Sequence, residues 1–153
     1  MSYTRISQAL TISTSQYAAG DVVGGLLTFD TSLLVQGAIL NQVVIVDDDN
    51  EKAVFDLYLF NAAPTTIADN ASTTGALVIA DHKKVITRVP VVAADYITLN
   101  SNAIAVVTDV NNVIPASLGL MYGYLVCTGT PTYTATTDLW LALDFAPEPR
   151  GKY

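Results

Sequence analysis

The sequence predicts an all-β fold, a single-domain antiparallel β-sandwich or jelly-roll-like structure of about 8–10 strands. Three observations predict it. Apolar residues recur with a period of two along most of the chain. Several short runs are apolar at both parities and bounded by Gly, Asn, Asp or Pro. Helix signals are nearly absent. Taken in order, Leu10, Ile12 and Thr14 alternate with Thr11 and Ser13, which predicts a first strand. The runs 22–29, 39–46, 104–107 and 120–127 are rich in β-branched residues and predict strands covered on both faces. From Phe55, the set Phe55, Leu57 and Leu59 points one way and Asp56, Tyr58 and Phe60 the other. Leu139, Leu141, Leu143 and Phe145 alternate with Asp138, Trp140, Ala142 and Asp144, the clearest strand pattern in the chain. Residues 61–72, with Pro64 inside them, are read as irregular and able to hold a turn of 3₁₀ helix.

Composition narrows the function. The 153 residues are 51% hydrophobic and 14% charged, against about 25% charged in a typical soluble domain. Intrinsic disorder is excluded, because it requires low hydrophobicity and high charge. A net charge of −7 opposes nucleic-acid binding, which works through phosphate neutralisation. The long uncharged stretch 110–137 is broken by Asn111, Asn112, Pro115 and several glycines, so no membrane span is expected. Met1-Ser2-Tyr3-Thr4-Arg5 leads into no apolar segment of signal-peptide length, so assembly in a cytoplasm is expected. The surplus of apolar over charged residues predicts burial against another chain, and hence a homo-oligomer.

No residue pattern specifies catalysis or a cofactor. Cys127 is solitary, flanked by Tyr124, Leu125 and Val126, and reads as a buried hydrophobe. His82, the one histidine, lies in Asp81-His82-Lys83-Lys84 and is expected in an exposed loop or edge. With one Cys and one His, a zinc site of the usual kind has no ligand set. Asp47-Asp48-Asp49-Asn50-Glu51 has alternating oxygens, but Lys52 stands where a calcium loop needs glycine and Tyr58 where it needs glutamate. A hairpin tip between strands ending at Val46 and starting near Ala53 explains the same residues. Gly24-Gly25 sits inside an apolar strand and predicts a bulge or close backbone contact. Asn70-Ala71-Ser72 matches the glycosylation sequon, a match expected to be chance because no export signal is read. Trp140 shares its parity with Asp138 and Asp144, which marks it as a contact for a partner protein or a sugar ring, or as a side chain tucked under a loop.

Four stretches carry a family resemblance: Tyr17-Ala18-Ala19-Gly20-Asp21-Val22-Val23-Gly24-Gly25; residues 47–64, from the acidic turn through Phe55-Asp56-Leu57-Tyr58-Leu59-Phe60-Asn61-Ala62-Ala63-Pro64; Ile67-Ala68-Asp69-Asn70; and residues 122–139. In this order the pattern is similar to small virion structural proteins of tailed bacteriophages, the head decoration or head-fibre proteins, over about residues 3 to 145. The resemblance implies a non-enzymatic β-rich protein on the outside of a capsid. It assigns no binding residue. It also implies contact with the major capsid protein and a place on the virion head, and the positions such proteins occupy suggest a trimer.

The leading expectation is therefore a capsid decoration or cement subunit, with no cofactor and no metal. The alternatives are a receptor- or carbohydrate-binding adhesin module and a tail or connector component. The domain is expected to span residues 1–146. Two ends qualify as capsid anchors: Ser2-Tyr3-Thr4-Arg5, and the tail from Pro147 through Pro149, Arg150, Lys152 and Tyr153, where prolines favour extended backbone and two basic residues gather on an acidic protein.

Overall fold

A computed structural model describes residues 3–116 and 118–147. Among the described residues the chain forms two packed antiparallel sheets, an all-β sandwich. The strands are β1 (Thr4–Ala9), β2 (Val22–Asp30), β3 (Ala38–Asp47), β4 (Phe55–Phe60), β5 (Val85–Val91), β6 (Tyr96–Leu99), β7 (Asn102–Val107), β8 (Asn112–Ile114), β9 (Leu120–Cys127) and β10 (Leu139–Pro147). The first sheet runs β1-β10-β3-β7-β6, with β8 also paired to β3; the second runs β2-β9-β4-β5. One helical turn, α1 (Ile79–His82), and a 3₁₀ turn (Ala93–Asp95) complete it.

Alternation decides which side chains meet in the core. Leu139, Leu141, Leu143 and Phe145 of β10 and Phe55, Leu57 and Leu59 of β4 are all buried in one cluster between the sheets, as their period requires. Part of the double-parity pattern comes from bulges, where one extra residue flips the facing side. In β3 the pairing with β10 shifts between Gln42 and Leu40, so Ala38 and Leu40 point inward as Val43 and Ile45 do. In β5 the shift at Ile86 turns Val85 away from the core that Val89 and Val91 enter.

Gly24 and Gly25 make the expected bulge in β2, where the register with β9 shifts between Val23 and Leu27. Gly24 has φ +87°, and a Cβ there would stand 2.9 Å from Leu10 Cδ2. Both the backbone angle and the close approach require glycine.

Several local expectations are corrected. Leu10 and Ile12 are buried but lie in a loop; the first strand is β1, one step earlier, hydrogen-bonded along β10. Thr4 and Arg5 therefore belong to a sheet and are not a free anchor. Segment 61–72 holds no 3₁₀ turn; the N–H groups of Asn61, Thr65, Ile67 and Asn70 donate instead to residues outside it. The helical turns fall instead at 79–82 and 93–95. The acidic stretch 47–51 is not a hairpin tip: β3 and β4 lie in different sheets, so it crosses between them.

Turn chemistry nonetheless explains that acidic crossing. Asp47 is fully buried and accepts the N–H groups of Asp49 at 3.0 Å and Lys52 at 2.8 Å. Asn50 and Lys52 take positive φ to close the turn. Burial raises the Asp47 carboxyl above its ordinary range, against the pull of those hydrogen bonds.

Candidate interaction surfaces

The outer faces of the two sheets differ in what lies on them. On the second sheet, Val22, Phe60, Tyr124 and Val126 point away from the core and are buried all the same, with Ile67, in a second apolar cluster. The roof is the long β4–β5 connection, residues 61–84. Its fastenings are specific. The Tyr124 hydroxyl accepts the Ile67 N–H at 2.9 Å and donates to the Thr65 carbonyl at 2.6 Å. Asp69 Oδ1 accepts from the Tyr17 hydroxyl and from Gly24 N, each at 2.7 Å. Backbone bonds from Val22 N to Ala71 O and from Asn70 N to Val22 O stitch the roof to the edge of β2. The buried Asp81 closes its far end, accepting from Thr65 N, Thr65 Oγ1 and Val78 N, with Lys84 Nζ at 3.1 Å. The Thr65 hydroxyl, with the other donors, holds the Asp81 carboxyl well below the usual carboxylate range.

A cavity of about 350 Å³ remains under this roof, walled by Tyr58, Phe60, Leu77, Tyr124 and Val126, with His82 at its side. Phe60 and Tyr124 meet edge to face there, with centroids 5.8 Å apart. His82 is exposed as expected, but it ends α1 rather than sitting in a loop or on a strand edge.

On the first sheet no roof like this one lies among the described residues, yet the middle of the outer face is shielded: Val44 is 7%, Ala142 0% and Asp144 8% exposed. The register lays side chains across it in rows. One row is Ile97, Ile104, Val46, Trp140 and Ala9, from β6 through to β1. The next is Val106, Val44, Ala142 and Ser7, and the third is Gln42, Asp144 and Arg5. The third row is polar but self-neutralised. Arg5 donates from Nε and Nη2 to the two oxygens of Asp144 at 2.6 and 2.7 Å, and Gln42 Nε2 adds a bond at 3.0 Å. The Arg5 pairing lowers the Asp144 carboxyl. At the far end Ile97 is 61% and Leu99 54% exposed. The expectation of strands covered on both faces holds for β9; on β3 the outward Val44 is buried and Val46 half-buried, and on β7 the outward Ile104 and Val106 are half-buried.

Trp140 is half-buried on this face, with the Arg5 guanidinium 5.9 Å from its ring centroid, a cation–π distance. It is the aromatic member of an otherwise aliphatic row. Of the tail candidates, Pro147 is the last residue of β10, opposite Ala38, a strand end where proline's missing N–H is tolerated. Pro149, Arg150, Lys152 and Tyr153 lie outside the described residues. Ile97 and Leu99 escaped the sequence reading, although their alternation with Tyr96 and Thr98 just ahead of the Asn100 turn was a usable signal.

Cys127 is buried against the Ala18 carbonyl, and burial pushes its thiol pKa up, which suits packing and not reactivity. Asp49 accepts from Thr134 N and Oγ1, so its carboxylate braces a neighbouring loop. Among the described residues no three His, Cys, Asp or Glu side chains gather as a metal site would require.

The stretches that carry the phage resemblance converge in space. Tyr17, Gly24 and Asp69 share one hydrogen-bonded node. Gly20 N donates to Cys127 O, Cys127 N to Asp21 O, and Tyr17 stacks edge to face with Tyr133. Together they fasten the roof to the sandwich, so these motifs describe a way of folding rather than a binding site. Comparison of the chain with protein-family models, curated proteins and solved structures gives no match.

Proposed function

We propose that this chain is a non-enzymatic virion structural protein, a capsid decoration or cement subunit that self-associates and binds the major capsid protein on the outer head surface. Assembly takes place in the host cytoplasm. The observation that carries this reading is the apolar rim of the first sheet, where Ile97 and Leu99 of β6 stand exposed in line with the half-buried Trp140. An exposed apolar patch of this kind marks a protein–protein contact, and an assembly subunit needs one. The motif resemblance supplies the virion setting. The alternative of a sugar-binding adhesin draws less support, because the direct cross-strand neighbours of Trp140 are the aliphatic Val46 and Ala9 and the nearby Arg5 is already paired with Asp144.

Copy number in purified particles tests the proposal. A decoration subunit is present in numbers comparable to the major capsid protein and leaves density over the head. A few copies per particle, confined to the tail or fibres, would contradict it and favour the tail or adhesin reading.

A further inference from the structure

Resting on the assembly reading above, we infer that the free edge of β6 takes an extended strand from another protein, one that is apolar at alternate positions and uncharged or basic. The other three edge strands carry features that oppose strand addition. β2 is bridged by Ser72 and bulged at Gly24, β5 carries Arg88 and Pro90, and β1 carries Arg5. β6, Tyr96-Ile97-Thr98-Leu99, has no charge, proline or bulge. Along this edge Val92, Ile97 and Leu99 are 45%, 61% and 54% exposed.

The backbone names the occupant. The β6–β7 loop is the two residues Asn100 and Ser101, so Leu99 and Asn102 form its closing hydrogen-bonded pair. Such pairs alternate along an antiparallel ladder, so Thr98, opposite Ala103, points its N–H and C=O away from β7. Tyr96, the other residue of that parity, spends its N–H on the Ala93 carbonyl. Thr98 is exposed, and among the described residues no other segment bonds its backbone. Covering Ile97 and Leu99 also covers these two groups, and a buried N–H or C=O without a partner is costly. A surface of side chains leaves them unpaired. A strand pairs both and lays its alternate side chains beside Ile97 and Leu99.

Charge decides against a second copy. Thr98 Oγ1 lies 3.5 Å from Asn50 Oδ1, in the acidic crossing where Asp48 and Glu51 are exposed, and Asp95 leads into β6. A second copy would set the same acids against these on a chain of net charge −7. A basic residue beside an added strand complements them.

The test has two arms. In the first, without particles, the full chain is titrated with acetyl-Lys-Val-Thr-Val-Thr-Val-Lys-amide, and with the same peptide carrying glutamate for lysine. The basic peptide slows exchange of the Thr98 amide at least tenfold and binds at least tenfold more tightly than the acidic one. The second arm counts copies on purified particles. Thr98→Pro removes the outward N–H at an edge position that tolerates proline. It attaches in at least tenfold fewer copies than Thr98→Ala, which keeps that N–H. If circular dichroism shows Thr98→Pro unfolded, the Thr98 amide of wild type bound to particles decides in its place, and an unprotected amide there overturns the inference. An amide indifferent to the basic peptide, or equal binding of both peptides, overturns it too, and so do equal copies of the two variants. A Thr98 amide already protected in the purified protein gives the edge to a second copy and also overturns it. High wild-type copy with any of these results leaves the decoration reading standing. Wild type absent from particles, with Thr98 protected by the peptide, removes that reading alone.

Discussion

The outer faces of the two sheets pose the same problem and meet it differently. Both present apolar side chains from central strands: Tyr124 and Val126 from β9, and Val44 and Val46 from β3. Over the second sheet the chain spends residues 61–84 on a cover of its own, held by Tyr124, Asp69 and Asp81. That cover also occupies the edge of β2 through the Asp21–Ser72 bridge, which blocks an edge open to strand addition. Over the first sheet the described residues form no corresponding segment, and β6 at its rim keeps Ile97 and Leu99 in water. One face is finished by intramolecular contacts, and the other is the surface proposed for intermolecular ones. The surplus of apolar residues in the composition is the sum of the two.

Breaking the cover should have the largest effect. Tyr124→Ala removes the ring at the centre of the second cluster and both bonds to the roof, and should cost about 4 kcal/mol in urea melts. It should also make the second sheet's outer face bind an apolar dye, as a bare face would. Gly24→Ala forces a Cβ onto Leu10 at an unfavourable φ and disturbs the N–H that holds Asp69; about 2 kcal/mol is expected by the same measurement.

Acid should weaken both the cover, through Asp81, and the Arg5–Asp144 row of the first sheet. The folded-state pKa values of Asp81 and Asp144 are depressed, so their stabilisation is complete above the unfolded carboxyl value of about 3.9. It is lost as pH falls toward the folded values. Asp47, raised by burial, has the opposite sign and gains stability on protonation, a partial offset. Urea melts from about pH 6 to about pH 2 should show the loss, and Asp81→Asn should flatten it. The smallest effect belongs to the exposed rim. Ile97→Asp should change the stability of the subunit by no more than about 0.5 kcal/mol, since that side chain already stands in water.

Much of the fold was legible because period two is a local signal: β2, β3, β4, β7, β9 and β10 follow from their own residues. The missed strands, β1, β5, β6 and β8, are edge or short strands in which one parity is polar or exposed, as in Arg5, Ser7 and Thr98, so their pattern is diluted. Cross-sheet placement was not legible. Nothing local tells whether Val46 and Phe55 flank a hairpin or a crossing. Double-parity runs looked alike whether a roof covered them, as at Tyr124, or a bulge flipped them, as at Asn41. For the same reason Trp140 was visible as an oddity of parity, while its aliphatic row was not, because that row joins five strands distant in sequence.

The most direct measurement is the number of copies of the subunit on purified particles, wild type against the variant Ile97→Asp/Leu99→Asp. Both side chains already stand in water, so the variant folds as wild type does and a loss of copies is a loss of contact. The account predicts wild type in numbers comparable to the major capsid protein and the variant in at least tenfold fewer. Equal copy numbers for the two would contradict it.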